Sequence, residues 1–358
     1  MEMKKRVLSI ALLLLAMAVT LTACGTPRSD NGEGTEKVVL NVFNWGDYIS
    51  DTVLEAFEEK YPHIKVNYET FTTNEDMYVK IKTGGSAFDV AFPSDYMIKR
   101  MIDEGLLKEI SIDNIHNYKF IGDQFKNLSY DPENKYSVPY LWGTVGILYN
   151  KTMVTEPVDS WSILWNEKYK RQIIMSDSER DSIGITLKML GYSMNTKNVA
   201  ELEEAKQKMI EQKPLVLAYL VDEAKDMMIA ESAALAVVWS GDALIAMNEN
   251  ENLAYAIPKE GTNYWFDSMV IPKTSKHQKE AELFIDFMCD PEISLENVNY
   301  IGYATPNVET MKLLDPEIIT NSSAYPDMSE LANCEIFEYP GDEINRIYNR
   351  IWTEVKAG

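Results

Sequence analysis

Hydrophobic and polar positions along the chain predict strands and helices in alternation. Residues 38–45 are rich in β-branched and aromatic side chains, which is typical of a strand. Residues 51–61 repeat apolar side chains at helical spacing behind Ser50, a residue type that caps helices well. Residues 64–70 alternate apolar and polar positions, which predicts a second strand.

The same alternation continues further along the chain. Thr73 and Asn74 predict the start of a helix that Gly84 and Gly85 end, and residues 88–94 predict a buried strand. This β-α-β-α-β order predicts an α/β sheet with right-handed crossovers.

Strands and helices are also predicted beyond residue 130. Residues 136–150 predict two strand pieces with a turn at Gly143. Residues 235–239 predict a buried strand followed by a turn and a helix. The remaining predicted elements are a strand and helix from residue 173, a strand over 265–272, a helix that Pro291 ends and a helix over 342–356. Two α/β lobes fit this length.

The first residues predict export and lipidation. Lys4, Lys5 and Arg6 precede an apolar run at 7–22, which is signal-peptide architecture. The run ends in Leu-Thr-Ala-Cys24, which resembles the lipobox of bacterial lipoproteins, where the cysteine becomes diacylated. We expect a lipoprotein signal peptide at 1–23 and a flexible tether at 24–37. A signal peptide with an incidental cysteine and an uncleaved anchor are the alternatives.

The net charge of the chain limits the kinds of ligand that it could bind. The net charge is −22, which argues against nucleic acid as a partner. An acidic surface suits a cationic ligand, but it also serves solubility. The two other cysteines, Cys289 and Cys334, have no metal-ligand spacing, so a disulfide and buried thiols both stay open.

Large aromatic residues recur where predicted strands end. Ligands of open α/β sheets bind just beyond the carboxyl ends of strands, so these rings are candidates for a binding site. A single ring of this kind more often belongs to a core or to the surface, so the prediction depends on their recurrence at strand ends. The candidate aromatic residues are Trp45, Tyr48, Tyr96, Trp239, Trp265 and Tyr303.

Acidic residues accompany these rings at Asp47, Asp181, Asp242 and Asp267. Each is also explained as a turn residue or a helix cap. Aromatic faces attract cations, and carboxylates form charge-assisted hydrogen bonds with ammonium groups. Rings and acids together therefore favour an elongated ligand that carries ammonium groups.

The sequence contains few residue patterns that are typical of catalytic sites. The three histidines, His63, His116 and His277, have no nucleophile or second metal ligand at useful spacing, so we expect them at the surface. No metal, cofactor or enzymatic activity is predicted. The alternatives to an amine receptor are a receptor for a sugar, a ferric ion or another cation, a hydrolase, and a surface adhesin or signalling receptor.

Several stretches together resemble the spermidine/putrescine-binding proteins of polyamine ABC transporters. They include "FNWGDYI", "FDVAFPSDYMIKRMIDEGLL", "YSVPYLWGTVGILYN", "SWSILWNEKYK", "WFDSMVIP" and "IGYATPN", in this order. The resemblance covers nearly all of the chain from residue 38. It implies a two-lobe fold of the periplasmic-binding-protein type II, with the ligand held in the cleft between the lobes.

The resemblance also implies roles for individual residues. Asp267, helped by Trp265, is expected to hold one amine end, and Asp181 stands where the family has a glutamate that also serves an amine. Asp47 matches an acidic position near the other end of the ligand, and Ser94 matches a polar contact beside Tyr96. The implied aromatic box is Trp45, Tyr48, Tyr96, Trp239, Trp265 and Tyr303.

Three departures from the family pattern bear on the choice of polyamine. Ser178 stands where the spermidine-binding pattern has an aspartate, with Asp177 and Glu179 beside it. Phe337 or Glu338 lies near the position of a family glutamine. Val221 or Asp222 takes the place of an asparagine-serine segment.

The resemblance implies partners and boundaries as well. The expected partners are a polyamine, the permease and ATPase subunits of an ABC transporter, and the membrane through the lipid anchor, with the protein a monomer on the extracytoplasmic face. We expect lobe 1 at 38–147 plus 268–309 and lobe 2 at 148–267 plus 310–358. Hinge strands are expected near 144–146 and 264–268.

Overall fold

A single mixed sheet organises the part of the chain that the structure, a computed structural model, describes: residues 37–84, 87–326 and 331–357. The predicted signal peptide, Cys24 and the tether up to residue 36 lie outside the described residues. The strands are β1 (Val38–Trp45), β2 (Ile64–Phe71), β3 (Val90–Ala91), β4 (Ser137–Asn150), β5 (Ile173–Ser176), β6 (Val216–Leu220), β7 (Leu235–Trp239), β8 (Leu253–Ala256) and β9 (Tyr264–Val270).

The long strand β4 joins two halves of the sheet. The strand order is β2-β1-β3-β9-β4-β7-β5-β6, and β8 pairs with β4 beside this path. In the first half, β1 is parallel to β2 and β3, and β9 runs antiparallel to β3 and β4. In the second half, β5 is parallel to β6 and β7, and β4 is antiparallel to β7 and β8. The predicted α/β class is confirmed.

The turn predicted at Gly143 is wrong. Strand β4 runs unbroken for 14 residues, and Gly143 pairs with Trp265 across the β4–β9 ladder. A Cβ atom at this position would lie 2.6 Å from Ser240 Oγ and 2.7 Å from the Trp265 ring. The glycine therefore permits the close approach of two side chains rather than a change of direction.

Helices connect most of the consecutive strands. They are α1 (Asp51–Lys60), α2 (Asn74–Thr83), α3 (Asp95–Asp103), α4 (Glu179–Met189), α5 (Val199–Gln212), α6 (Glu223–Ile229), α7 (Ser240–Glu249), α8 (Gln278–Met288), α9 (Pro291–Ile301), α10 (Val308–Leu313), α11 (Pro316–Ile319) and α12 (Asp342–Ala357). Short 3₁₀ turns occupy Ile112–Asn114, His116–Phe120, Asp123–Phe125, Trp161–Trp165, Glu167–Tyr169 and Lys213–Leu215.

Several predicted helix boundaries need correction. Ser50 precedes α1 but makes no side-chain capping bond; its hydroxyl lies 2.6 Å from the Thr52 hydroxyl. Helix α7 begins at Ser240 directly after β7, without the predicted turn. Pro291 does not end α8 but opens α9, because proline suits the first helical turn and Asp290 caps it.

One hydrophobic core extends through both halves of the sheet and includes side chains of β4 and β9. It includes Val42, Val90, Ile147, Phe266 and Val270, all at most 2% exposed. A separate cluster in the second half joins α4, α5 and α12. The backbone around the strand ends is therefore held by packing from both sides.

Two cysteines and three histidines lie within the described residues. Cys289 is buried, and it forms no disulfide with the half-buried Cys334. His63 and His116 are exposed as predicted, whereas His277 is half-buried. No cluster of potential metal ligands occurs within the described residues. Across that same part of the chain, every helix is too short or too polar to be a membrane span.

Candidate ligand-binding site

One cavity of about 370 Å³ lies where strand ends from both halves meet. The first half contributes the end of β1, the start of α3 and strand β9, and the second half contributes the end of β7 and the start of α4. All ten residues predicted as ligand contacts line this cavity: Trp45, Asp47, Tyr48, Ser94, Tyr96, Asp181, Trp239, Trp265, Asp267 and Tyr303.

Three aromatic rings form an edge-to-face cluster in the cavity. The Trp265 and Tyr303 ring centres are 5.1 Å apart, and those of Tyr48 and Tyr303 are 5.6 Å apart. Gly302, with φ of 83°, ends α9 in the left-handed conformation that glycine favours. Tyr303 follows immediately, and its ring lies so close to Gly241 that a Cβ there would be 2.4 Å away.

Asp267 lies within this ring cluster and is 5% exposed. Tyr48 donates its hydroxyl hydrogen to Asp267 Oδ2 at 2.8 Å, while Oδ1 has no hydrogen-bond partner among the described residues. Burial raises the pKa of Asp267 to about 7, against the opposing effects of Ser94 and Tyr48. The Trp265 indole N–H, also buried, has no acceptor in the described part of the chain.

Asp181 lies in the first turn of α4 and is also 5% exposed. Asn263 Nδ2 donates to Asp181 Oδ1 at 3.3 Å, and burial raises the pKa of the Asp181 carboxyl. Ser178 accepts a bond from the Asp181 N–H at 3.3 Å and so caps α4. Ser178 therefore fixes the first turn of α4, which carries the Asp181 carboxylate.

Asp47 and Asp242 form another acidic group on the cavity wall. Tyr300 donates to Asp47 Oδ1 at 2.8 Å, and Tyr303 donates to Asp242 Oδ2 at 2.9 Å. Lys225 Nζ lies 3.5 Å from Asp47 Oδ2 and 3.8 Å from Asp242 Oδ1. Burial raises the pKa of Asp242 to about 6, and Lys225 counteracts this rise.

The sequence analysis missed a group around Tyr96. The Tyr96 hydroxyl donates to Glu75 Oε1 at 3.0 Å, and the Arg180 guanidinium lies 5.1 Å from the centre of the Tyr96 ring. Phe337 packs edge-on against Tyr96 and lies 4.4 Å from Arg180. A signal for Glu75 was available, because it lies in the first turn of a helix that begins shortly after the end of a strand.

The structure also separates the two acids beside Ser178. Asp177 forms an ion pair with Lys356, whereas Glu179 Oε1 is buried without a hydrogen-bond partner among the described residues. Burial raises the pKa of Glu179 to about 8, and nearby Glu75 adds to this rise. The sequence left Phe337 and Glu338 as candidates for one position, and Phe337 lines the cavity. It left Val221 and Asp222 as candidates for another position, and both line the cavity.

Negative charge dominates the cavity. Its lining holds ten acidic side chains against two cations, Arg180 and Lys225, so acids outnumber cations even with the raised pKa values of Asp267 and Glu179 taken into account. The carboxylates are Asp47, Glu75, Asp76, Asp95, Asp177, Glu179, Asp181, Asp222, Asp242 and Asp267. A half-enclosed cleft of one sign attracts ligands of the opposite sign. The cavity is therefore suited to a cation with an apolar body.

The fold and this cleft define a class of protein. A two-part α/β sheet with a ligand-sized cleft at its strand ends is the architecture of solute receptors, and the model of the bacterial extracellular solute-binding protein family matches residues 52–326. The chain belongs to this family, and solute binding is its function.

Particular relatives are more informative. The spermidine/putrescine-binding periplasmic protein of Salmonella typhimurium is 34% identical over 348 residues, which cover 97% of this chain and 98% of that protein. Among solved structures, the spermidine/putrescine ABC transporter substrate-binding protein PotD of Streptococcus pneumoniae is 43% identical, with a TM-score of 0.77, over 90% of this chain and 99% of that one.

A third relative is the TpPotD lipoprotein of Treponema pallidum. Its solved structure is 26% identical and has a TM-score of 0.78, over 88% of this chain and 99% of that one. The resemblance to spermidine/putrescine-binding proteins and the two-lobe fold predicted from it are confirmed.

Proposed function

We propose that this chain captures a polyamine in the cleft and delivers it to the permease of an ABC transporter. The observation that carries the proposal is the carboxylate of Asp267, which is buried between Tyr48 and Trp265 with one oxygen unpartnered among the described residues. A buried charge without a partner is costly, and an ammonium group would supply both the hydrogen bond and the charge.

The rival ligand within the same fold is a sugar. Rings that stack on a sugar would suit either ligand, but a neutral sugar leaves the carboxylates of Asp181 and Asp267 without a countercharge. An alkylammonium chain satisfies both features, because its methylenes pack on the rings and its ends pair with the acids. The proposal involves no covalent chemistry.

The ten predicted residues take roles in this proposal. Asp267, helped by Trp265, holds one ammonium group, and Asp181 also serves an amine. Asp47 lies nearer the other end of the ligand, and Ser94 assists beside Tyr96. The rings of Trp45, Tyr48, Tyr96, Trp239 and Tyr303 enclose the carbon chain.

Binding would be coupled to closure of two lobes, at 38–147 plus 268–309 and at 148–267 plus 310–358. The predicted hinge positions on β4 and β9 face each other, since Thr144 pairs with Tyr264. A ligand that contacts both lobes favours the closed state by its differential affinity for that state.

We also propose lipidation at Cys24 and a monomer held on the extracytoplasmic face of the membrane. The Leu-Thr-Ala-Cys sequence supports the anchor, as does the description of the Treponema pallidum relative as a lipoprotein. Metabolic labelling with a fatty acid tests it: label that persists in Cys24→Ser would remove the proposal.

The test of ligand class is calorimetric titration of the full-length chain in detergent with putrescine, cadaverine, spermidine and maltose. We expect heat from at least one polyamine and none from maltose. Heat from maltose alone would show that the chain is a sugar receptor instead. The absence of heat with all three amines would reject polyamine capture.

A further inference from the structure

Lys225 brings a cation of the protein itself into the acidic cleft. It projects from α6 and lines the cavity, and its side chain is 15% exposed. Its ammonium group lies between two carboxylates, 3.5 Å from Asp47 and 3.8 Å from Asp242. These acids belong to the loop after β1 and to α7, so Lys225 connects the two halves of the sheet at this point.

The two cations of the cleft are held differently. Arg180 is 3% exposed, donates to the Glu338 carbonyl at 3.1 Å and lies against the rings of Phe337 and Tyr348. Lys225 makes two ion pairs at distances beyond a normal hydrogen bond. The arginine is therefore part of the packed wall, whereas the lysine neutralises charge in the cavity itself.

The carboxylates near Lys225 are already directed by other groups. The hydroxyls of Tyr300 and Tyr303 each donate to one of them, at 2.8 Å to Asp47 and 2.9 Å to Asp242. A ligand ammonium bound between these acids would therefore lie next to Lys225. Like charges this close repel each other strongly in a half-buried setting.

We infer that Lys225 is a specificity-determining residue that acts as a built-in ammonium group and makes the cleft select diamines over triamines. The inference rests on the proposed function. Lys225 already supplies a positive charge to Asp47 and Asp242, whereas Asp267 and Asp181 form no ion pair among the described residues and therefore gain most from a ligand ammonium. A third ligand ammonium has to share Asp47 and Asp242 with Lys225 and is therefore bound less tightly than it would be without the lysine.

The test compares dissociation constants for putrescine and spermidine in the full-length chain and in Lys225→Met. We expect the wild type to prefer putrescine. In Lys225→Met the affinity for spermidine should rise roughly tenfold relative to that for putrescine, because an uncompensated group of acids then accepts the third ammonium. Lys225→Arg, which keeps the charge, should retain the wild-type ratio.

Lys279→Met is the matched control, because Lys279 is exposed on α8 and its removal changes the net charge equally. It should leave the ratio unchanged. Thermal unfolding of each variant checks the fold, and Lys225→Gln replaces the methionine variant if that one does not fold.

Two outcomes would overturn the inference while leaving polyamine capture intact. One is an unchanged ratio of spermidine affinity to putrescine affinity in Lys225→Met. The other is a gain in affinity that is equal for both ligands and of the same size in Lys225→Met and in Lys279→Met. Absence of polyamine binding by the wild type would instead reject the proposed function itself.

Discussion

At the scale of single residues, Asp267 concentrates the chemistry of the site. Its position among rings follows from β9, which places Trp265 and Asp267 on the same side of the strand two residues apart. Tyr48 satisfies one carboxylate oxygen, and the other remains available to a ligand. The sequence suggested this residue, but its hydrogen-bond partner comes from a loop 219 residues away.

Substitution Asp267→Asn should weaken polyamine binding about 100-fold, because a charge-assisted hydrogen bond becomes a neutral one in a buried site. Titration calorimetry measures the loss. Asp177→Asn is the matched control: Asp177 also lines the cavity, but it pairs with Lys356, and its removal should change the dissociation constant less than about threefold. Equal losses in the two variants would contradict a specific role for Asp267.

Affinity should depend on pH through the same residue. Because the pKa of Asp267 in the free protein is raised to about 7, the carboxylate that binds an ammonium is mostly protonated at pH 6. We expect the putrescine dissociation constant to rise roughly tenfold between pH 8 and pH 6, and less in Asp267→Asn. A flat profile over this range in the wild type would show that Asp267 binds no cation.

Stability of the free protein should show the opposite trend. Asp267 and Asp242 have folded-state pKa values raised to about 7 and about 6, so the native state holds more protons than the unfolded state between about pH 4 and pH 7. The contribution of these groups is therefore largest below pH 4 and is lost as the pH rises to 7. Titration of other groups adds to the total, so the measurement is the difference in melting temperature between wild type and Asp267→Asn at pH 5 and pH 8. The wild type should lose stability relative to the variant at the higher pH.

At the scale of elements, β4 and β9 position the site by close packing. Gly143 on β4 leaves room for the Trp265 side chain on β9 and for Ser240 at the start of α7. Sequence rules for glycine indicated a turn, because glycine is common in turns and the neighbouring side chains are distant in sequence. The extended conformation at Gly143 is therefore determined by its packing against Trp265 and Ser240 and not by the local sequence.

Gly143→Ala should therefore disturb binding and folding together. The added methyl would lie 2.7 Å from the Trp265 ring, so the ring has to move from its place beside Tyr303. We expect a loss of about 1–3 kcal/mol in the free energy of unfolding, measured by denaturant titration, and weaker putrescine binding. Unchanged stability and affinity would show that the ring has free space to move into.

At the scale of the whole molecule, the cleft joins two halves of one sheet that share β4. Contacts between the halves already cross it, from Lys225 to Asp47 and from Tyr303 to Asp242. The first contact is an ion pair to an exposed carboxylate, and the second is a single hydrogen bond from a hydroxyl to a carboxylate, so each contributes little on its own. A bridging ligand can therefore change the balance between open and closed states.

The sequence by itself determined the class of fold and identified ten of the residues that line the cleft. Hydrophobic periodicity is a local property, so residues such as those of β1, α4 and α12 fold as their pattern predicts, and aromatic and acidic side chains at strand ends are visible in the chain. Tertiary structure decided the rest: the continuity of β4, the pairing of Asp177 with Lys356 that leaves Glu179 to the cavity, and the arrival of Lys225 between Asp47 and Asp242. These features depend on residues far apart in sequence, whose contacts exist once packing has brought the two halves together.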